Sequence, residues 1–296
     1  MSGVFYALLV AYGYASSNIY MKKGMENGSK DIGVFITLIV NFALALPFAV
    51  YVLFKNPDIL NFSGIFLFII SGILGPILGR LTFYTAINHV PITVASSIKI
   101  TAPFFAAIIA FLLLGETLSI RVMLGMLIVI FALYQLSKAR NDPNKKSTGN
   151  ALKLGITFAL LSALSFASGN VIRKFSLQYI DSAVLGLAIS TFSSLIFYLI
   201  YLGIKGRFTE LKETPPEAGK NFIIGGIFTT IATFCYFLAL KTIPVAITVT
   251  LANIEPIFVM LLGRYIYKLP EEKLNGQILA CLGMIFLGIL IITFKG

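Results

Sequence analysis

The sequence is poor in charge, in cysteine and in histidine, and it has no tryptophan. Charged residues make up 12% of the 296 positions, about half the share in a typical soluble globular protein. The two cysteines, Cys235 and Cys281, lie in separate apolar runs, and the single His89 has no thiol or carboxylate near it in the chain. We therefore expect neither a disulfide framework nor a metal site.

Motifs of nucleotide-dependent and hydrolytic chemistry are also missing. The chain has no phosphate-binding loop, no dinucleotide fingerprint, no zinc-protease motif and no hydrolase serine motif in a credible context. This excludes an ATP-driven pump built from this chain alone, and we expect no cofactor.

Apolar residues, by contrast, make up 58% of the chain and gather in uncharged or nearly uncharged runs. Each run is about 20 residues long, the length that a helix needs to cross the hydrocarbon core of a bilayer. A soluble protein of this size would have to expose much of that surface to water. The composition therefore predicts an all-α integral membrane protein. It excludes a soluble enzyme, a disordered chain and a nucleic-acid-binding domain.

The apolar runs predict ten transmembrane helices, each bounded by charged residues, glycine or proline. Their predicted bounds are 3–21, 32–54, 64–87, 91–114, 120–137, 152–173, 183–204, 222–240, 245–267 and 275–294. An even number of spans places both termini on the same side of the membrane.

An internal repeat relates the two halves of the chain. At an offset of 152, residues 3–22 and 155–174 are identical at nine of twenty positions, including the polar Ala-Ser-x-Asn segment. Further on, Pro91 and Pro103 align with Pro244 and Pro256 at the same spacing of twelve residues. We predict one five-helix repeat in residues 1–140 and a second in residues 151–296.

Because five is an odd number, the second repeat should enter the membrane from the opposite face. Inverted repeats of this kind are typical of secondary transporters, which bind their substrates near the bilayer midplane between the halves. The repeat thus favours a carrier that works by alternating access.

The order of these features resembles the EamA family of the drug/metabolite transporter superfamily. The resemblance rests on the five-plus-five spans, the two Ala-Ser-x-Asn segments, the prolines of spans 4 and 9, and Leu114-Gly115-Glu116 followed by Gly125. The second half departs from it with Lys268-Leu269-Pro270-Glu271. The resemblance implies a cavity lined by helices 1, 3, 4, 6, 8 and 9, with helices 5 and 10 outside. It also implies transport, commonly efflux, of amino acids or other small metabolites.

Charged residues inside the spans are the strongest candidates for substrate binding, because each is costly there unless it is paired or faces water. Lys99 in span 4 and Glu255 in span 9 lie close to Pro103 and Pro256, and each proline removes a helical hydrogen bond. An ion pair between Lys99 and Glu255 is as plausible as substrate binding by both. Proton coupling through Glu255 is a further hypothesis.

Other polar residues in the spans complete the predicted site. Arg80 and Tyr84 follow the glycine-rich segment that contains Pro76, and Arg80 could equally reach the membrane surface. The predicted substrate-binding residues are Lys99, Glu255, Asn18, Asn170, Arg80, Tyr84, Asn253 and Ser96, and the predicted hinges are Pro103, Pro256 and Pro76. Arg264 is more typical of an interfacial anchor.

These residues favour a secondary-active transporter of a small polar metabolite. Because buried cations outnumber buried anions, the solute should carry a carboxylate, and Glu255 could meet an amino group, so an amino acid fits best. Phosphorylated sugars or organic anions are the alternative within transport. An intramembrane lipid-modifying enzyme is an alternative of another class, although the chain lacks an evident nucleophile–base pair.

We expect a multi-pass protein of a prokaryotic cytoplasmic membrane, a monomer or homodimer whose partners are its solute and the lipid bilayer. Loops on the side of the 1–2 connection hold about 14 Lys and Arg, against about 6 on the side of the termini. The positive-inside rule therefore puts the termini outside, whereas the family resemblance puts them inside.

Overall fold

Helices are the regular elements of the described residues, which are 2–90, 92–139, 149–265 and 276–293 of this computed structural model. In chain order they are α1 (Ser2–Met25), α2 (Lys30–Lys55), α3 (Phe62–His89), α4a (Ile92–Lys99), α4b (Ala102–Leu114), α5 (Ile120–Ala139), α6 (Gly149–Leu177), α7 (Ala183–Lys205), α8 (Pro216–Thr242), α9a (Val245–Ala252), α9b (Glu255–Tyr265) and α10 (Gly276–Thr293). Short helical turns at Pro57–Ile59 and Thr209–Glu213 lie between them.

Six of the described helical stretches are long and apolar enough to cross a bilayer: α2, α3, α6, α7, α8 and Val245–Gly263. Three further apolar helices are shorter, Ala102–Leu114, Ile120–Leu136 and Leu279–Ile292. Large apolar side chains, among them Phe48, Phe54, Phe62, Leu112 and Ile204, are exposed on the outside of the bundle. Such a surface suits lipid and not water, and these features confirm the predicted all-helical, multi-pass class.

Helix α1 runs antiparallel to α8 along its whole length, and glycines keep the two backbones close. A Cβ on Gly3 would lie 2.6 Å from a methyl carbon of Ile243, and one on Gly24 would lie 2.4 Å from the ring of Phe222. Between these ends, the Ser17 and Thr229 hydroxyls lie 2.6 Å apart. Small residues at such seams let membrane helices gain dispersion contacts that lipid would otherwise supply.

The pair formed by α6 and α3 repeats this arrangement. Gly155 packs on Val90 at one end, and a Cβ on Gly169 would lie 2.8 Å from the backbone nitrogen of Gly75 near the middle. The Ser162 hydroxyl donates to the Gly79 carbonyl at 2.7 Å. The contact between Gly155 and Val90 corresponds through the sequence repeat to that between Gly3 and Ile243, so the first helix of each half packs on the third helix of the other.

Helices α5 and α10 cross at a pair of glycines, each packed against the backbone of the other. A Cβ on Gly125 would lie 3.0 Å from the carbonyl oxygen of Gly288, and a Cβ on Gly288 would lie 2.9 Å from the carbonyl oxygen of Gly125. Such reciprocity is the property of an interface about a two-fold axis.

Two helices are interrupted near their prolines. Helix 4 breaks at Ile100–Thr101, just before Pro103, and helix 9 breaks at Asn253–Ile254, just before Pro256. The break follows because a proline inside a helix offers no N–H and its ring clashes with the preceding turn. In α3, Pro76 lies within a π-helical segment, Leu74–Gly79, a local widening that a proline commonly accompanies.

The seam between α3 and α7 generates a stability prediction. A Cβ on Gly72 would lie 2.3 Å from the backbone carbonyl oxygen of Ser190, which cannot move without shifting α7. We expect Gly72→Ala to destabilise the protein by about 1–3 kcal/mol, seen as a lower midpoint of thermal unfolding in detergent. Gly283→Ala is the control, because a Cβ on Gly283 would have no neighbouring atom within 4 Å. It should leave the midpoint of thermal unfolding unchanged or raise it. Equal effects of the two substitutions would contradict the packing described.

Candidate functional site

A cavity of about 560 Å³ lies inside the helical bundle, within the size range of small-molecule binding sites. The described helices α1, α2, α3, α4, α6, α7, α8 and α9 line it, so α2 and α7 join the six that the family resemblance implies, while α5 and α10 contribute no described lining residue. Its polar lining comprises Tyr14, Ser17, Asn18, Lys30, Thr37, Asn41, Arg80, Tyr84, Lys99, Asn170, Arg173, Ser190, Thr191, Ser194, Thr229, Thr233, Tyr236, Asn253 and Glu255.

The cavity reaches the end of the bundle where α1 ends and α2 begins. Met25, Lys30 and Ile87, which lie near the ends of α1, α2 and α3, belong to its lining. Met25 is 39% exposed, and the Lys30 ammonium lies 3.0 Å from the centroid of the Tyr84 ring. We call this the open end of the cavity.

At the opposite end of the bundle lies a polar network around Glu116, and we call this the closed end because none of the network's residues lines the cavity. One carboxylate oxygen of Glu116 lies 2.5 Å from the Lys174 ammonium, and the other accepts the Val245 N–H at 2.9 Å. Lys174 also donates to the Ile243 carbonyl at 2.8 Å. The network thus joins the end of α4b, the end of α6 and the connection between α8 and α9a.

The local fold explains why Leu114-Gly115-Glu116 builds this closed end. Gly115 takes φ +65°, a left-handed conformation that glycine adopts without strain and that commonly ends a helix. The chain therefore turns at once after α4b and brings Glu116 to Lys174 and Val245.

The two predicted charges of helices 4 and 9 both line the cavity, each at a helix break. Lys99 is the last residue of α4a and Glu255 the first of α9b. The ion pair that was one of the two alternatives for them does not form: within the described residues no salt bridge involves either side chain, although each is in electrostatic range of the other. Lys99 instead lies over aromatic rings, 4.6 Å from the centroid of Phe166 and 5.1 Å from that of Phe83. Glu255 accepts a hydrogen bond from the Asn18 amide.

The other predicted residues fall into three groups. Arg80, Tyr84, Asn18, Asn170 and Asn253 line the cavity with Lys99 and Glu255, as does Pro76. Pro103 is buried behind the lining, and Pro256 lies beside it without contributing to it. The side chains of Ser96 and Arg264 lie outside the described residues.

Arg173 is a buried, charged lining residue that sequence reasoning missed. Its side chain is 6% exposed, and its guanidinium lies 4.9 Å from the Phe237 ring centroid. The predicted sixth span ended at residue 173, which made this arginine look like a charge at the membrane surface, but α6 continues to Leu177. Its counterpart in the first repeat is Met21, so the repeat gave no indication of it either.

Helix α7 also contributes unpredicted polar lining through Ser190, Thr191 and Ser194. Two of these hydroxyls bond to backbone carbonyls one turn earlier, Ser190 to Gly186 at 2.5 Å and Ser194 to Ser190 at 2.8 Å. Hydroxyls satisfied in this way are common in membrane helices, which is why their spacing alone did not indicate a cavity.

The family model of the EamA-like transporters matches residues 1–138 and again residues 153–294. The chain belongs to the EamA-like transporter family. This confirms the resemblance found in the sequence. The two matched ranges together cover nearly all of this EamA family member.

Named relatives of this EamA protein are transporters. An uncharacterized transporter of Archaeoglobus fulgidus is 23% identical over 99% of this chain and 98% of its own length. The uncharacterized transporter YetK of Bacillus subtilis is 20% identical over 97% of this chain and 87% of its own. A crystal structure that is 13% identical superimposes with a TM-score of 0.77 and covers 98% of this chain and 96% of that chain. The last comparison supports the fold alone.

The shape of the cavity predicts which positions of this EamA protein react with a charged thiol reagent. In a background without Cys235 and Cys281, Tyr84→Cys should be labelled rapidly in detergent solution, because position 84 lines the cavity near its open end. Ala239→Cys should be labelled at least about tenfold more slowly, because Ala239 is fully buried near the closed end. Labelling can be followed by mass spectrometry. Similar rates at the two positions would contradict an opening at the Tyr84 end.

Proposed function

We propose that this protein is a secondary-active transporter that moves a small polar solute by alternating access through the central cavity. The observation that carries the proposal is a charged cavity that reaches one end of a membrane-embedded bundle while the network around Glu116 closes the other. A carrier needs such a site and a second arrangement in which the closed end opens.

We further propose that ten helices form two inverted five-helix repeats, residues 1–140 and 151–296. The reciprocal contacts support this: α1 packs on α8 as α6 packs on α3, and Gly125 and Gly288 meet backbone to backbone. Two nearly equivalent halves allow inward-open and outward-open arrangements of similar free energy, because each half can adopt the packing of the other.

The cavity charges favour a solute that carries a carboxylate. Its described lining includes four basic residues, Lys30, Arg80, Lys99 and Arg173, and one acidic residue, Glu255. An excess of positive charge in a space of low dielectric attracts anions. Glu255 offers a partner for an ammonium group, so an amino acid is the solute we propose. The family resemblance favours export.

Organic anions and phosphorylated sugars are the second candidate class. Arg80 and Lys99 both line the cavity, and Arg173 adds a third cation, which is the arrangement that a multiply charged anion would require. The intramembrane-enzyme alternative has lost support, because the family and the named relatives are transporters. We place the protein in a prokaryotic cytoplasmic membrane, in keeping with its archaeal and bacterial relatives.

Transport by purified protein in liposomes tests the function. Liposomes loaded with unlabelled amino acids should accumulate labelled ones by exchange, and a parallel set with organic anions and sugar phosphates tests the second class. Absence of flux for every solute, with correctly folded and inserted protein, would contradict a carrier.

Proton coupling generates a prediction for Glu255, the single carboxylate of the described lining. If protonation of Glu255 accompanies transport, Glu255→Gln should remove the dependence of net flux on an imposed pH gradient while exchange persists, because the amide cannot bind and release a proton. Glu217→Gln, at an exposed position at the start of α8, is the control and should behave as wild type. A pH response that survives Glu255→Gln would disprove coupling through this residue.

A further inference from the structure

Arg173 is a buried charge without a carboxylate partner among the described residues. It is 6% exposed, and the ionisable groups in electrostatic range are the phenols of Tyr14 and Tyr236, which are uncharged at neutral pH. A buried guanidinium is strongly unfavourable unless it is neutralised or hydrogen-bonded. Its retention inside the cavity lining therefore requires a reason beyond packing.

The contacts of Arg173 leave part of its hydrogen-bonding capacity unused. One terminal nitrogen donates to the Asn170 side-chain oxygen at 3.3 Å. The face of the guanidinium is covered by Phe237 and Tyr236, with ring centroids 4.9 and 5.6 Å from its central carbon. Its Nε–H is buried and has no hydrogen-bond acceptor. The aromatic rings hold the cation in place, whereas its donors remain available.

A second unsatisfied group lies beside it. The Tyr236 hydroxyl is buried without a hydrogen-bond partner, and Tyr236 is 4% exposed. Both Arg173 and Tyr236 line the cavity. Buried polar groups without partners are rare in native proteins, and two in neighbouring residues of a cavity lining point to a ligand that supplies an acceptor.

The charge of that ligand follows from the available groups. A guanidinium offers only donors, and its planar fork matches a carboxylate in a bidentate arrangement. The phenol can add a third donor. An anion with two oxygen acceptors would satisfy both residues, whereas a cation would be repelled.

We propose that Arg173 and Tyr236 bind the carboxylate of the transported solute, and that Glu255 with Asn18 binds its ammonium group. The proposal rests on the proposed transport function and assigns the orientation of the solute within it. Asn18, which bonds Glu255, lies one helical turn along α1 from Tyr14, which is in electrostatic range of Arg173.

The test compares each carboxylate with its own amide. Thermal unfolding of the purified protein is measured with the twenty standard amino acids, acetate and succinate, and with the corresponding amides. At least one carboxylate should raise the wild-type midpoint by mass action, and its amide should not. Arg173→Gln should weaken this carboxylate's binding by about 10- to 100-fold, the range for hydrogen bonds to charged groups. Arg173→Lys should recover part of it.

Two further variants complete the test. Tyr236→Phe removes one hydroxyl and should weaken carboxylate binding by about three- to tenfold. If Arg173→Gln does not fold, Tyr236→Phe serves as the test of the carboxylate site. Arg121→Gln, at an exposed site at the start of α5, is the control and should bind as wild type. The proposal is overturned if the wild-type protein prefers no carboxylate over its amide. It is also overturned if that preference persists unchanged in Arg173→Gln. If Arg173→Gln does not fold, an unchanged preference in Tyr236→Phe overturns it.

Flux measurements keep this proposal distinct from the transport function. If liposomes carry a solute that has no carboxylate and Arg173→Gln carries it equally well, the carboxylate site is wrong and the carrier stands. If no solute moves at all, it is the carrier that fails.

Discussion

A charge placed among helices that cross a membrane must be solvated, paired or covered, and this constraint shapes the whole site. The charges of the described lining share one cavity and meet the constraint in different ways. Lys99 lies over two aromatic rings, Arg173 stacks on Phe237, and Glu255 accepts from the Asn18 amide. None of these arrangements fully neutralises a charge, which supports the proposal that a polar solute supplies the missing partner.

The framework around the site is nearly symmetric, but the site itself is not. Helices 4 and 9 break at equivalent positions, yet the side chains there differ. In the sequence repeat Lys99 corresponds to Ala252, and Glu255 corresponds to Ala102. All four of these residues line the cavity. In the proposed carrier, the similar backbones of the two halves would provide the two arrangements for alternating access, whereas the unlike side chains would make one part of the site basic and another acidic.

The sequence was sufficient to predict the helical membrane class and seven of the eight proposed substrate-binding residues as lining a cavity, most of them charged or amide groups, which are rare inside apolar runs and stand out. It was not sufficient for Arg173, because an uncertainty of a few residues at a helix end decides whether an arginine faces lipid headgroups or a cavity. The contribution of α7 was also missed, since serine and threonine satisfy themselves on their own helix. Nor could the separation of Lys99 from Glu255 be predicted, because it depends on how two broken helices pack.

The inverted arrangement of the two halves is the central claim, and single cysteines in equivalent turns test it most directly. Asn27 lies between α1 and α2, and Gln178 lies between α6 and α7, both at exposed positions. The two variants are Asn27→Cys and Gln178→Cys. With a membrane-impermeant thiol reagent, the account predicts that only one of the two is labelled in intact cells and that both are labelled after permeabilisation. Labelling of both in intact cells would place the two turns on the same side of the membrane and contradict the account.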